Sequence, residues 1–472
     1  MFLVSSLLLT LSCSQNGKQP APKYVFLFIG DGMGIQQVNA SQAYKAALDS
    51  VQGNAHLSFT SFPATGFMTT YAGNRYITCS AAAGTAIASG SKTSIGTIGL
   101  NANHSDSLFS IAHRAHKSGY QVGIVTSVSI DHATPAAFYA HQPDRDMYHE
   151  IAHDLLKSNF RFFGSGGFRD PYGKKSKMPL GSIFEKGDSA GFLFTSNLTL
   201  SPQEISNYSS IVFSAPDSLA SSSNLKFKLD AKPSDITLAQ ITKMGIDVLF
   251  NPKGFFMMVE GGKIDWACHD NDAASTIHDV LSFSDAIQVA IDFYKKHPKE
   301  TLIVVTADHE TGGMSLGVRE NYYESNISLL SNQRLSHEQF NRLIKDLQQK
   351  KDSKTSFNEI LSLVKSNFGL GNKGLELTEK DVKLLKMAYE RTFITKDKPI
   401  RVGEDYNNSQ TITGVAIEIL NRKAGIGWST FSHTGSQVPV YALGEGQELF
   451  IGQFDNTFLA PTIAKLMGTT ME

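Results

Sequence analysis

The chain has 472 residues, 41% apolar and 18% charged, with 43 Lys and Arg against 44 Asp and Glu. That apolar share supports a large buried core and excludes a disordered chain. A net charge of −1 lacks the basic excess that phosphate neutralisation demands, so no nucleic-acid binding is expected.

The chain opens on an apolar run, MFLVSSLLLTLSC, which turns polar at Ser14. A run this short cannot span a bilayer and reads as an export signal. Cys13 after Ser12 is similar to a bacterial lipoprotein cleavage site, which makes it a candidate lipid anchor. The run carries no Lys or Arg, and Thr10 stands where such sites usually have Leu. Cleavage elsewhere, giving a soluble exported protein, is the alternative to a periplasmic or outer-membrane-anchored lipoprotein. No later run reaches about 18 apolar residues, so no membrane crossing is expected in the mature chain. Three cysteines cannot build a disulfide scaffold, and Cys79 and Cys268 are expected as free thiols.

Strand signals follow as short, non-alternating apolar runs: Tyr24–Ile29, Gln121–Thr126, 255–259 and 302–306. Such runs suit strands covered on both faces. Helical patterns lie between them, at 105–118 and 276–296. The alternation predicts an α/β fold with a large, mostly parallel central sheet flanked by helices. Between 318 and 399 the texture changes. Capping pairs Ser336/Gln339, Ser356/Glu359 and Thr378/Asp381 start three helices, the first with a stripe of Phe340, Leu343, Ile344 and Leu347. This reads as a helical insertion packed on the core or on a partner subunit. The division is then 1–22 signal and linker, 23–317 catalytic core, 318–399 insertion, and 400–472 return to the core.

Four strand ends share one character. They run into Gly30-Asp31-Gly32, Ser127 to Thr134, Glu260-Gly261-Gly262 with Asp265, and Asp308-His309 followed by Gly312-Gly313. Ligands bind at the carboxyl ends of strands in open α/β sheets. If these ends share a rim, Asp31, Glu260, Asp265 and Asp308 converge. Buried carboxylates without cations would each cost several kcal/mol, and the nearest cation in sequence is Lys263. Bound metal resolves the conflict. Asp265 and His269 lie one helical turn apart, and Asp308-His309 follows a strand, so mixed carboxylate and imidazole ligands suit zinc while oxygen ligands suit magnesium. Single residues of these kinds are more often helix caps or surface groups; the repetition at strand ends favours metal. The remaining histidines, His132 excepted, read as surface or packing residues.

The candidate nucleophile is Ser80, in Cys79-Ser80-Ala81-Ala82-Ala83-Gly84-Thr85, opening a helix that Gly90 can stop. A helix N-terminus favours an alkoxide and an anion, and a metal is one way to activate a serine. An ordinary N-cap is the plain alternative.

Together, IGDGMG, CSAAAGTA, HATPAAFYAH followed by Arg145, EGGKID with His269, TADHETGG and SHTG resemble the motifs of the alkaline phosphatases, in the family's order. The resemblance covers the core and not the insertion. It implies that Asp265, His269 and His433 hold one zinc, that Asp31, Asp308 and His309 hold a second, and that Asp31, Thr134 and Glu260 hold magnesium. Ser80 would attack small phosphate monoesters to give a phosphoserine, with Arg145 clamping the phosphate. Activity would rise into the alkaline range, and a homodimer is expected. Three residues depart from the pattern. Cys79 stands where the family commonly has Asp, and cannot orient Arg145 by an ion pair. His132 occupies a position that is Asp in some members, which could bias the third site away from magnesium. Trp266 replaces Lys or His.

Three rivals remain. A sulfatase would need Cys-x-(Pro or Ala)-x-Arg, and the arginine is missing after Cys79. A phosphodiesterase needs room for a second ester group. A non-catalytic protein that binds metal or phosphate need not keep Ser80 or Arg145.

Overall fold

A computed structural model describes residues 21–216, 220–349, 355–395, 401–402, 405–406 and 410–471; the apolar start and Cys13 lie outside the described residues. Ten strands form one sheet in the order Gly452–Asp455, Ala64–Thr69, Val438–Gly444, Thr301–Thr306, Tyr24–Ile29, Phe255–Glu260, Gln121–Thr126, Phe162–Ser165, Ser210–Ser214 and Phe192–Thr195. Val438–Gly444 runs antiparallel to both its neighbours; the other pairings are parallel. The expected mostly parallel α/β sheet is what forms.

The central strands are buried along their whole length on both faces, which is why their sequences are apolar without alternation. Phe26, Phe28, Phe255 and Phe256 are fully buried there, each contributing about 2–3 kcal/mol over exposure. Register explains the shared rim. Ile29 pairs with both Thr306 and Glu260, and Glu260 pairs with Thr126. Four strands therefore end level, and whatever follows each one emerges at the same place.

One helix is shorter than its pattern. Residues 105–110 stay outside it, because Ser107 bridges Leu100 and Leu108 N–H donates to Gly99. The helix runs Ile111–Lys117, capped by Ser110. Within 318–399 lie the helices His337–Gln349, Phe357–Phe368 and Glu379–Tyr389. Their Phe340, Ile344, Ile360, Val364 and Leu385 join Ile412, Ile419 and Leu420 of the helix Ile412–Ala424 in a second apolar core. Ser356 and Thr378 make full capping boxes. Ser336 makes half of one: its hydroxyl accepts from Gln339 N–H, but its own N–H donates to Asp230.

Candidate active site

Ser80 opens the helix Ser80–Ser89, with Cys79 extended before it and Gly90 left-handed after it. The run of small residues lets this helix sit wholly buried among the helical segments Ala133–Ala136, Asn456–Phe458 and Leu459–Leu466, with Ser80 2% exposed in a cleft of about 980 Å³. Its Oγ lies 3.3 Å from His309 Nε2.

Around that hydroxyl, polar atoms gather without partners. Asp31 is fully buried, and neither carboxylate oxygen has a hydrogen bond. His309 Nε2 is 3.5 Å from Asp31 Oδ1 and 3.3 Å from Asp308 Oδ2. Asp308 Oδ1 accepts from the N–H groups of Gly32 and His309, while Oδ2 has no donor. Glu260 accepts from Thr126 through one oxygen, and its other oxygen and Thr134 Oγ1 are unpartnered.

The imidazoles point the same way. His269 Nδ1 lies 2.6 Å from the Phe431 carbonyl, and His433 Nδ1 lies 2.9 Å from the Thr78 carbonyl. Each Nδ1 therefore carries the proton, which leaves both Nε2 atoms as lone pairs. Those two atoms face each other at 3.1 Å. Thr311 fixes His309 similarly: its hydroxyl donates to Asp265 Oδ1 at 2.6 Å, so it can only accept from His309 Nδ1 at 3.2 Å. Asp265 closes the ring, 3.3 Å from His269 Nε2 and 3.6 Å from His433 Nε2. Lone pairs aimed at lone pairs repel, and a cation between them is the physical remedy.

Electrostatics agree. Burial, then Asp308, Asp265 and Glu260, push Asp31 well above the usual carboxylate range. Burial and the charge of Asp265 raise Asp308 to about 8, and burial raises Glu260 to about 7. Burial also pushes Asp265 upward, but positive charge at His269, with His433 and His309, outweighs it and holds it well below the usual range; with those rings neutral, the charge must come from a cation between them. Lys263 does not compensate them. It pairs with Glu338 at 3.2 Å and covers the rings of Phe227 and Trp266.

Three groups bring ligand atoms within 4.8 Å of one another: Asp265 with His269 and His433, Asp31 with Asp265 and His309, and Asp31 with His132 and Glu260. Hard oxygens and neutral imidazoles of this composition fit divalent metal ions. Arg145 reaches the cleft from the other side. Its backbone N–H donates to Gly96, whose own N–H points to Cys79 Sγ at 3.2 Å. Its guanidinium Nη2 is 3.2 Å from His132 Nε2, so the histidine rather than Cys79 holds it. Trp266 packs edge-on to His132 with ring centroids 5.8 Å apart. Cys79 and Cys268 are both free.

Sequence reasoning missed the supports. Thr311 lies within TADHETGG but carries no ligand signal, and the Thr78 and Phe431 carbonyls are backbone atoms that no side chain advertises. Glu310, beside Thr311, gives no signal either. It accepts from Gln37, Gly313 N–H and Thr434, tying the Asp308 loop to the His433 loop.

The family model described as alkaline phosphatase matches residues 22–160 and 218–469. Alkaline phosphatase 4 of Bacillus subtilis (strain 168) is 31% identical over 457 residues, 94% of this chain and 88% of its own. Alkaline phosphatase 3 of the same strain is 30% identical over 464 residues, 96% of this chain and 90% of its own. The crystal structure of a cold-active alkaline phosphatase from the psychrophile Shewanella sp. matches with a TM-score of 0.76 at 27% identity, covering 94% of this chain and 99% of that one.

Proposed function

Because the chain belongs to the alkaline phosphatase family and is a metal-dependent phosphoric monoester hydrolase, we propose that it works through Ser80 as nucleophile and Arg145 as phosphate clamp. Asp265, His269 and His433 would hold one zinc; Asp31, Asp308 and His309 a second; Asp31, Thr134 and Glu260 a magnesium. Bound there, these ions supply Lewis-acid charge to the oxygens of an in-line displacement at phosphorus. The supporting observation is the ring of unpartnered oxygens and Nε2 lone pairs around one buried hydroxyl.

Ser80 Oγ gives up its proton and attacks phosphorus, and the ester oxygen leaves as the alcohol. The helix N-terminus favours charge on Ser80 and on the phosphate. Two guanidinium N–H groups of Arg145 hold equatorial oxygens through the transfer. Water then splits the phosphoserine, regenerating Ser80 and releasing inorganic phosphate. One Nη2 N–H of Arg145 faces His132 Nε2 at 3.2 Å, which leaves four N–H donors for the phosphate, and His132 stands as its partner in place of the aspartate that the family commonly carries before the serine. His132 also lies against Asp31 and Glu260, which supports looser magnesium dependence; His132→Asp should tighten the response to added magnesium.

With metals loaded, Ser80→Ala should lose turnover of a chromogenic phosphomonoester while keeping its metal content. An undiminished rate would remove Ser80 from the mechanism. The same reading takes the protein as an exported homodimer with Cys13 as candidate lipid anchor, and 318–399 as an insertion in a core of 23–317 and 400–472. Among the described residues no helix is long and apolar enough to cross a membrane.

A further inference from the structure

Besides Arg145, two arginines that the reaction does not use, Arg75 and Arg169, line the cleft. Arg169 lines it together with Arg145, His132, Trp266 and Tyr148, and its side chain is exposed. Among the described residues no carboxylate forms an ion pair with it within 4 Å. Asp146, the exposed acid on the same wall, donates its backbone N–H to Asp144 Oδ1 at 2.9 Å, and no ion pair joins its carboxylate to Arg169. Asp265, the other acid there, faces the imidazoles.

Arg169 is nonetheless held in place. Its backbone N–H donates to buried Asp131 Oδ2 at 2.9 Å, beside His132. The preceding loop is pinned by Ile130 N–H to the Gly167 carbonyl at 2.9 Å. The guanidinium lies 4.8 Å over the Tyr148 ring, and Nη1 donates to the Tyr148 hydroxyl at 3.2 Å. A cation stacked on an aromatic face loses little rotamer freedom when an anion arrives, and its remaining N–H groups stay available. Such a pre-set guanidinium is suited to a planar or tetrahedral anion at the rim of the cleft.

We propose that Arg169, seated on Tyr148, is a second anion subsite, which selects phosphate monoesters whose leaving group carries another phosphate. This rests on hydrolysis at Ser80 as set out above. The first phosphate sits at Ser80 and Arg145, and the second meets Arg169 without any change in the chemical step.

The test compares kcat/KM for fructose 1,6-bisphosphate and fructose 6-phosphate, by initial phosphate release from the metal-loaded enzyme. The wild type should favour the bisphosphate beyond the twofold expected from its two esters. Arg169→Gln should reduce the ratio by about tenfold, Arg169→Lys by less, and added salt should reduce the wild-type ratio because the contact is exposed. A ratio that is the same in wild type and Arg169→Gln, or insensitive to salt, would overturn the subsite while leaving hydrolysis intact. Failure of both substrates to turn over would instead count against the Ser80 reading.

Discussion

Two buried clusters of charge stand within one helix of each other, and they are balanced in opposite ways. Asp31, Asp308 and Glu260 keep oxygens without donors. On the far side of the helix Lys263–His269, Asp272 is just as buried, yet it accepts from Ser275 N–H and hydroxyl, from Gln333 Nε2 and from His337 N–H. His337 Nε2 lies 2.5 Å from Asp270. Burial lowers His337, but Asp270 and Asp272 outweigh it and raise it to about 10. One cluster carries its counter-charge in the chain; the other is built for one from outside. The difference separates a structural network from a ligand site without reference to sequence motifs.

The comparison can be broken at either end. The largest effect should come from Ser80→Ala, a loss of at least about a thousandfold in kcat with metal content retained, read by steady-state kinetics and elemental analysis. Stripping metal comes next. At a thousandfold excess of metal over its Kd each bound ion adds about 4 kcal/mol of stability, which thermal or denaturant unfolding with and without chelator would register. The stripped protein should also respond to pH. Asp308 and Glu260 have folded values of about 8 and 7, above their ordinary 3.8 and 4.5. Their contribution is present at low pH and lost as pH rises from about 4 to 8. Metal should abolish that dependence.

The balanced cluster should ignore metal. His337→Ala leaves buried Asp272 and half-buried Asp270 short of their cation and should cost about 3 kcal/mol in chemical denaturation, with or without chelator. Because the folded value of His337 exceeds its ordinary 6.5, its stabilisation is full below that pH and lost as pH rises towards about 10. The smallest effect is expected at Cys79. Cys79→Asp adds an anion beside Arg145 and should change the inhibition constant for inorganic phosphate severalfold, towards tighter binding.

The sheet and the converging rim were legible because strands buried on both faces have a distinctive texture, and because Glu260 ends such a strand while Asp31 and Asp308 each follow one by two residues. Of the proposed ligand histidines, His309 is legible from its place after a strand and His269 from its spacing one helical turn from Asp265; His433 sits on a two-residue strand paired with Glu310–Thr311 and is marked only by the SHTG motif. The supports were not legible. Thr311 and Glu310 act through contacts that depend on register, and His337 reaches Asp270 from a helix 67 residues downstream in sequence. Its capping signal was readable, but its partner was not. The 105–110 segment misled for a local reason, since a bridge to Leu100 took the residues that the helical pattern assigned to the first turn.

The central claim is that divalent ions sit among these unpartnered atoms beside Ser80. Diffraction from zinc-loaded crystals, collected on either side of the zinc absorption edge, tests it directly. The account predicts anomalous peaks between His269, His433 and Asp265, and between His309, Asp31 and Asp308 next to Ser80 Oγ. Full zinc loading with no peak at either position would contradict it.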